Sequence, residues 1–170
     1  MHDPIAQPAW LDLLDRHAAA LILFARQWCP SHADAEDAVQ EAFIHCWRSQ
    51  VKIDDSVAYL FTCVKHAALD QQRGTKRRWR REATVGSQSQ PTNESCFVSA
   101  IEEQERTAII EHHLGQLPQD QREVVVMKLW GGLTFSQIAR VLEASPDTIA
   151  SRYRYALQTM RRLLPQEQVT

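Results

Sequence analysis

The stretch from Ser145 to Leu164, SPDTIASRYRYALQTMRRLL, leaves the chain few ways to fold. Ser145 can cap the first free backbone N–H groups of a helix. Pro146 suits the first helical position, and Asp147 suits the positive end of the helix dipole. At the helical repeat, Ile149, Tyr153, Ala156, Leu157, Met160, Leu163 and Leu164 fall on one side, which must pack on a core. Ser151, Arg154, Tyr155, Gln158, Arg161 and Arg162 fall on the other, with Thr148, Arg152 and Thr159 along one edge. That outer face carries hydroxyls and guanidinium groups and almost no acid.

The residues just upstream supply a companion. Thr134 can cap a short helix, Phe135 to Leu142, with Phe135, Ile138, Ala139, Val141 and Leu142 as its apolar positions. Glu143 and Ala144 form a tight connection into Ser145. A short helix, a brief turn and a second helix with a basic outer face is the pattern of a helix-turn-helix, whose second helix can enter a DNA major groove. N-terminal residues of such a helix reach base edges, while arginines hold phosphates. Two amphipathic helices with a merely solvated face would show much of the same pattern, so on these residues alone both readings stand.

Composition sets the class. Apolar residues make up 44% of the 170, enough for a core, and only five are glycine. No alternating strand pattern occurs, so the expected fold is all-α: two small helical domains joined by a flexible linker. No apolar run is long enough for a membrane span, and the start, MHDPIAQPAW, lacks the pattern of a secretory signal. Cys29, Cys46, Cys63 and Cys96 are scattered without metal-ligand or redox-motif spacing, and three of them sit in helical patterns. They read as buried thiols of a protein in a reducing cytoplasm. The seven histidines, His17, His32, His45 and the pair His112-His113 among them, form no array with acids or cysteines. No glycine-rich phosphate loop or nucleophile elbow is present. Catalytic residues, metal sites and cofactors are therefore not expected.

A net charge of −2 looks wrong for a DNA binder, but its distribution is uneven. From Val57 to Arg81 there are seven lysines and arginines and one acid, Asp70. From Glu82 to Glu111 there are six acids and one base, Arg106. After Ala144 the chain turns basic again. Two basic zones separated by an acidic one point to two nucleic-acid contacts made by one chain.

Taken in order, Ala9 to Trp28 reads as a helix, broken by Cys29-Pro30-Ser31-His32. A second helix, Ala33 to about Arg48, carries Asp34, Glu36 and Asp37 in its first turn. Its buried side is Ala35, Ala38, Val39, Ala42, Phe43 and Cys46, while Asp37, Gln40, Glu41 and Ile44 point the opposite way. That outer face is open to two readings, a solvated surface or a protein-binding one. Ser49 to Ser56 is a polar loop. The next helix runs from Val57 to about Gln72 and leads into RGTKRRWRR, where Arg73, Lys76, Arg77, Arg78, Arg80 and Arg81 surround Trp79. A basic run with an aromatic inside it suits a phosphate backbone and a base to stack on. Glu82 to Ser99 reads as the linker. Helical pattern resumes from Ala100 to Leu114. A further helix opens at Pro118, takes Val124, Val125, Met127, Leu129 and Trp130 as apolar positions, and stops at Gly131-Gly132.

With these stretches in hand, the chain resembles the small two-domain sigma factors of bacteria, the extracytoplasmic-function (ECF) group. ADAEDAVQEAFIHCWR looks like that family's polymerase-binding helix, and AYLFTCVKHAALDQQR like its promoter-melting and minus-ten-reading helix. LPQDQREVVVMKLWGGLTFSQIARVLEASPDTIASRYRYALQTMRRLL looks like its minus-thirty-five-binding domain. The resemblance implies a domain at residues 1–81 that binds core RNA polymerase and recognises and melts the minus-ten element, a linker at 82–99, and a helix-turn-helix domain at 100–170 for the minus-thirty-five element.

Its implied partners are core RNA polymerase and promoter DNA. Many members are held by an anti-sigma factor, though no residue pattern here identifies one. Asp37 and Glu41 match acidic positions of the polymerase-docking helix, with Gln40 and Ile44 on the same face. The loop Arg48 to Ser56 matches the one that holds an extruded base. Lys65 and His66 stand where the family commonly has Arg-Asn, and Arg73, Lys76, Arg77, Arg78, Arg80 and Arg81 continue the minus-ten side. On the minus-thirty-five side stand Thr148, Ser151, Arg152, Arg154 and Tyr155. Ala150 replaces a lysine that many relatives carry. The alternative function is a stand-alone helix-turn-helix regulator acting as a dimer.

Overall fold

The computed structural model describes residues 6–49, 56–83 and 101–163. These form seven α-helices and one π-helical turn, with no strand among the described residues. The helices are α1 (Ala6–Ala25), α2 (His32–Arg48), α3 (Ser56–Glu82), α4 (Ile101–Gly115), α5 (Gln119–Val125), α6 (Phe135–Leu142) and α7 (Pro146–Leu163), and the π turn, Val126–Trp130, extends α5. The chain divides into two compact units, residues 1–96 and 97–170. Most of the expected linker and of the loop after Ser49 lies outside the described residues, as does Cys96.

In the first unit, α1, α2 and α3 pack on one another. The side of α2 that faces its partners is Ala35, Ala38, Val39, Ala42 and Cys46, all buried. Small side chains let the helices approach closely, and the larger residues come from α1 and α3. Phe24 meets Trp28 and Phe61 edge to face, with ring centroids 5.0 and 5.1 Å apart, over Leu21, Leu60 and Val64. Full burial of each such side chain is worth about 1.5–3 kcal/mol. Trp10 closes one end against Phe43, at 6.0 Å.

Helix α1 ends at Ala25, three residues before the sequence pattern stops. The i→i+3 bonds Gln27 N–Phe24 O and Trp28 N–Ala25 O tighten the last turn, and Arg26 Nη1 donates to Cys29 O at 2.9 Å. Helix α2 begins one residue earlier than the apolar pattern because Ser31 caps it, Oγ accepting from Asp34 N at 3.1 Å. Helix α3 runs unbroken through the basic stretch, with every residue from Arg73 to Arg81 exposed.

The second unit is built around Leu117, Val124, Val125, Val126, Met127, Leu133, Ile138 and Ile149. Helix α5 packs on α7, and α7 on α6. Arg122 fastens the α4–α5 connection, donating to the carbonyl oxygens of Leu114, Leu117 and Gly115 at 2.8, 2.9 and 3.3 Å. The helix expected from Pro118 to the glycines is not regular throughout. At Val126 it widens into the π turn, closed by Gly131 N to Val126 O at 3.1 Å. The extra residue changes which side chains face inward. Val126 is buried, while Leu129, expected in the core, is 49% exposed. Lys128 Nζ then donates to Leu133 O at 3.2 Å and lies 4.8 Å from the Phe135 ring centroid, which ties this turn to the start of α6.

Candidate nucleic-acid and polymerase interfaces

The helix-turn-helix is assembled from local signals. Thr134 and Gln137 form a full capping box: Thr134 Oγ1 accepts from Gln137 N at 3.2 Å, and Gln137 Oε1 accepts from Thr134 N at 2.9 Å. Helix α6 ends at Glu143 in the left-handed conformation, φ 52° and ψ 45°, with its N–H on Ala139 O. That single residue turns the chain into α7. Ser145 Oγ then accepts from Thr148 N at 3.2 Å and sits 2.8 Å from Thr148 Oγ1. The exposed Thr148 hydroxyl is thus shared between the cap and solvent.

Along α7, Ile149 and Ala156 are buried, and Tyr153 stacks edge-on against Phe135 at 5.6 Å. The opposite face presents Arg154, Tyr155, Gln158, Arg161 and Arg162. Tyr155 is 53% exposed, with the Arg154 guanidinium carbon 5.6 Å from its ring centroid. Thr148, Arg152 and Tyr155 recur at i, i+4 and i+7, so they share a stripe, with Ser151 beside it. Ser151 and Arg152 are half-buried. Arg152 is not free: Nε lies 3.3 Å from Asp120 Oδ2. The sequence reading placed Arg152 correctly at the helix edge but missed Asp120, which belongs to α5.

On α3, Lys65 is half-buried, with Nζ 5.8 Å from the Trp28 ring centroid, and His66 is exposed. The repeat aligns His66, Arg73, Arg77 and Arg80 along the helix, with Arg81 beside Arg77 at i+4, while Arg78 lies on another side. Arg73 pairs loosely with Asp70 at 3.7 Å. Trp79 is 67% exposed amid the arginines, an arrangement with no packing function. Lys76, Arg77 and Arg78 are exposed beside it. One helix therefore runs from a packed core into a solvent-facing basic rod.

On α2, Asp37, Gln40, Glu41 and Ile44 are all exposed, and with His45 and Arg48 they line one open depression. Ile44 is 44% exposed, and Trp47, which the sequence reading did not single out, is 41% exposed one turn further on. Neither Asp37 nor Glu41 forms an ion pair among the described residues. Exposed apolar residues thus lie beside two carboxylates on one face of α2.

Beneath these faces lie the thiols. Cys29, Cys46 and Cys63 are free and buried. A hydrogen bond with Cys63, together with burial, holds the Cys46 thiol far above the ordinary thiol range, and Cys63 is also hydrogen-bonded to Tyr59. Among the described residues no group of three or more His, Cys, Asp or Glu is placed to hold a metal ion, and no helix is long and apolar enough to cross a membrane.

Fold and faces together define a two-domain, all-helical DNA-binding transcription factor of the helix-turn-helix class. The Sigma-70 region 2 family matches residues 13–78, and the Sigma-70 region 4 family matches residues 107–160. The chain belongs to the ECF group of RNA polymerase sigma factors, which direct transcription initiation. The ECF RNA polymerase sigma factor SigL of Mycobacterium tuberculosis is 31% identical over 163 residues, covering 93% of this chain and 90% of SigL. SigK of Mycobacterium bovis is 30% identical over 135 residues, covering 76% of this chain and 72% of SigK. Among solved structures, the sigma factor RpoE of Bartonella quintana, in complex with the anti-sigma factor NepR, superposes with a TM-score of 0.64 at 23% identity, over 96% of this chain and 98% of that one. CnrH, in complex with the cytosolic domain of CnrY, gives 0.62 at 22% identity, over 92% and 88%. These two likenesses concern the fold.

Proposed function

We propose that this sigma factor docks on core RNA polymerase through the outer face of α2, melts and reads a minus-ten element with α3, and reads a minus-thirty-five element with α7. The observation that carries this reading is the division of labour between exposed faces. The α2 face is acidic and apolar and suits a protein. The faces of α3 and α7 are basic with exposed aromatics and suit nucleic acid. A stand-alone dimeric regulator would account for α7 and leave α2 and the α3 rod without purpose, and the match to both sigma regions disfavours it. The factor acts without enzymatic chemistry of its own and works in the cytoplasm, where its free thiols stay reduced. An anti-sigma partner is supported by the two structural neighbours, each of which is complexed with one or with a partner's cytosolic domain.

The test is in vitro transcription with core polymerase on a promoter library, using the wild type and Glu41→Lys. The wild type should select a bipartite sequence. Glu41→Lys should weaken association with core, while its melting free energy stays within about 0.5 kcal/mol of wild type because the site is exposed. Unchanged competition for core by the variant would remove α2 from the interface.

A further inference from the structure

We infer that Asp120 is a specificity-determining positioning residue, which holds Arg152 end-on so that its two terminal nitrogens meet the paired acceptors of one guanine. This rests on the reading that α7 enters the major groove. The carboxylate is itself fixed on both sides. Its Oδ1 accepts from the backbone N–H of Gln121 at 3.0 Å, and its Oδ2 faces Arg152 Nε at 3.3 Å. It stands in the first turn of α5, where the dipole favours a negative charge, and α5 packs directly on α7. Of the α7 arginines among the described residues, Arg152 alone has a carboxylate partner. Arg162 reaches only Thr159 Oγ1, at 3.3 Å, and Arg154 lies by the Tyr155 ring.

A guanidinium offers its donors in a rigid fork. With the Asp120 carboxylate lying on the Nε side of the guanidinium, at 3.3 Å, the end-on pair Nη1 and Nη2 is left for a ligand. That pair suits the adjacent O6 and N7 acceptors of guanine, the commonest bidentate base contact of arginine. The side chains of Arg152 and Asp120 are 32% and 50% exposed, so the pair adds little to stability. Its effect is on orientation. An acid so near a DNA-facing helix also repels phosphates. Asp120 therefore weakens binding to DNA in general while sharpening the choice of sequence, which is the opposite of what a direct DNA contact does.

The experiment uses holoenzyme assembled from core polymerase and full-length sigma factor, carrying wild type, Asp120→Asn, Arg152→Ala or both changes. Binding is measured on promoters with each base at each position of the upstream element. Asparagine keeps an oxygen for the Gln121 N–H, so the helix start survives, and a thermal melt checks the fold. Arg152→Ala should flatten discrimination at one position. Asp120→Asn should reduce discrimination at that same position about fivefold or more, while affinity for random DNA stays equal or rises. The double variant should match Arg152→Ala in discrimination, with general affinity equal or higher. If Arg152→Ala flattens discrimination and Asp120→Asn does not, the positioning role is overturned and groove reading survives. An Arg152→Ala variant that loses affinity equally on every sequence overturns both. A further loss from Asp120→Asn when Arg152 is already absent overturns the positioning role alone.

Discussion

Arg122 Nε donates to the carbonyl oxygen of Leu114 at 2.8 Å, so a side chain of α5 terminates the helix before it. The last carbonyls of a helix have no partner within it. Here one guanidinium also satisfies Leu117 and Gly115, and sets the angle at which α5 enters the core. Arg122→Ala should destabilise the C-terminal unit by about 1–3 kcal/mol, the cost of leaving charge-assisted hydrogen bonds unmade. Chemical denaturation of the variant checks this. Arg122→Lys, which cannot span three carbonyls with a rigid fork, should recover only part of the loss.

The two connections that flank α6 give two substitutions of opposite sign. Glu143 occupies the left-handed region at φ 52°, which costs a residue with a Cβ about 1–2 kcal/mol. Glu143→Gly relieves that strain but adds freedom to the unfolded chain, worth roughly 0.5–1 kcal/mol. The net should be a small stabilisation. Gly132 sits at φ 66°, and a Cβ there would meet open space, so the effect of Gly132→Ala is conformational alone. It should destabilise by about 1 kcal/mol or more. Thermal melts of the two variants should shift in opposite directions.

The helix-turn-helix was legible in the sequence because its instructions are local. Thr134, Gln137, Ser145 and Pro146 each act within a turn of where they stand, and the apolar repeat of Phe135–Leu142 gives α6 its observed bounds. The outer face of α2 was legible for the same reason. What was hidden depends on pairs far apart in the chain, or on departures from regular geometry. Asp120 and Arg152 meet only because α5 packs on α7, and no local pattern announces it. Leu129 turns outward because of the π turn, while the sequence reading assumed an α-helical period through Trp130. Arg122 reads as one more polar residue on an amphipathic helix until its reach to Leu114 is seen.

Cys29 supplies a pH-dependent prediction. Burial, with help from Asp34 and Asp37 and against Arg26, raises its thiol from 9.0 to about 11, and Sγ sits 3.8 Å from Gln71 Oε1. Thiolate is the reactive form. Alkylation of Cys29 in the folded protein should therefore be far slower than in the urea-unfolded chain at pH 8, and should accelerate only toward about pH 11. Because the folded value is raised, the native state holds the proton more tightly. Stability from this group is complete below about pH 9 and declines as pH rises through about 11. Mass-spectrometric labelling of Cys29 across that range is the measurement, and labelling at the unfolded rate at pH 8 would contradict it.

The basic rod of α3 should behave unlike α7. Arg78 is exposed, and no carboxylate among the described residues holds its guanidinium in one orientation. A mobile cation on a solvent-facing helix meets phosphates by charge rather than by geometry. Each phosphate it neutralises releases condensed counterions, and that release makes the affinity depend on salt. Arg78→Ala should thus weaken holoenzyme binding to every promoter variant by a similar factor and lower the slope of log affinity against log salt by roughly one. The ranking of sequences should be preserved. Trp79→Ala should differ again, since an exposed indole stacks on unpaired bases. Its loss should spare duplex binding and cost about 1–3 kcal/mol on the melted strand, read as slower open-complex formation. Titrations at several salt concentrations on duplex and pre-melted templates separate the two effects. If Arg78→Ala reorders promoter preference instead, this arginine reads bases, and the helix must lie deeper in the groove than its exposed surface implies.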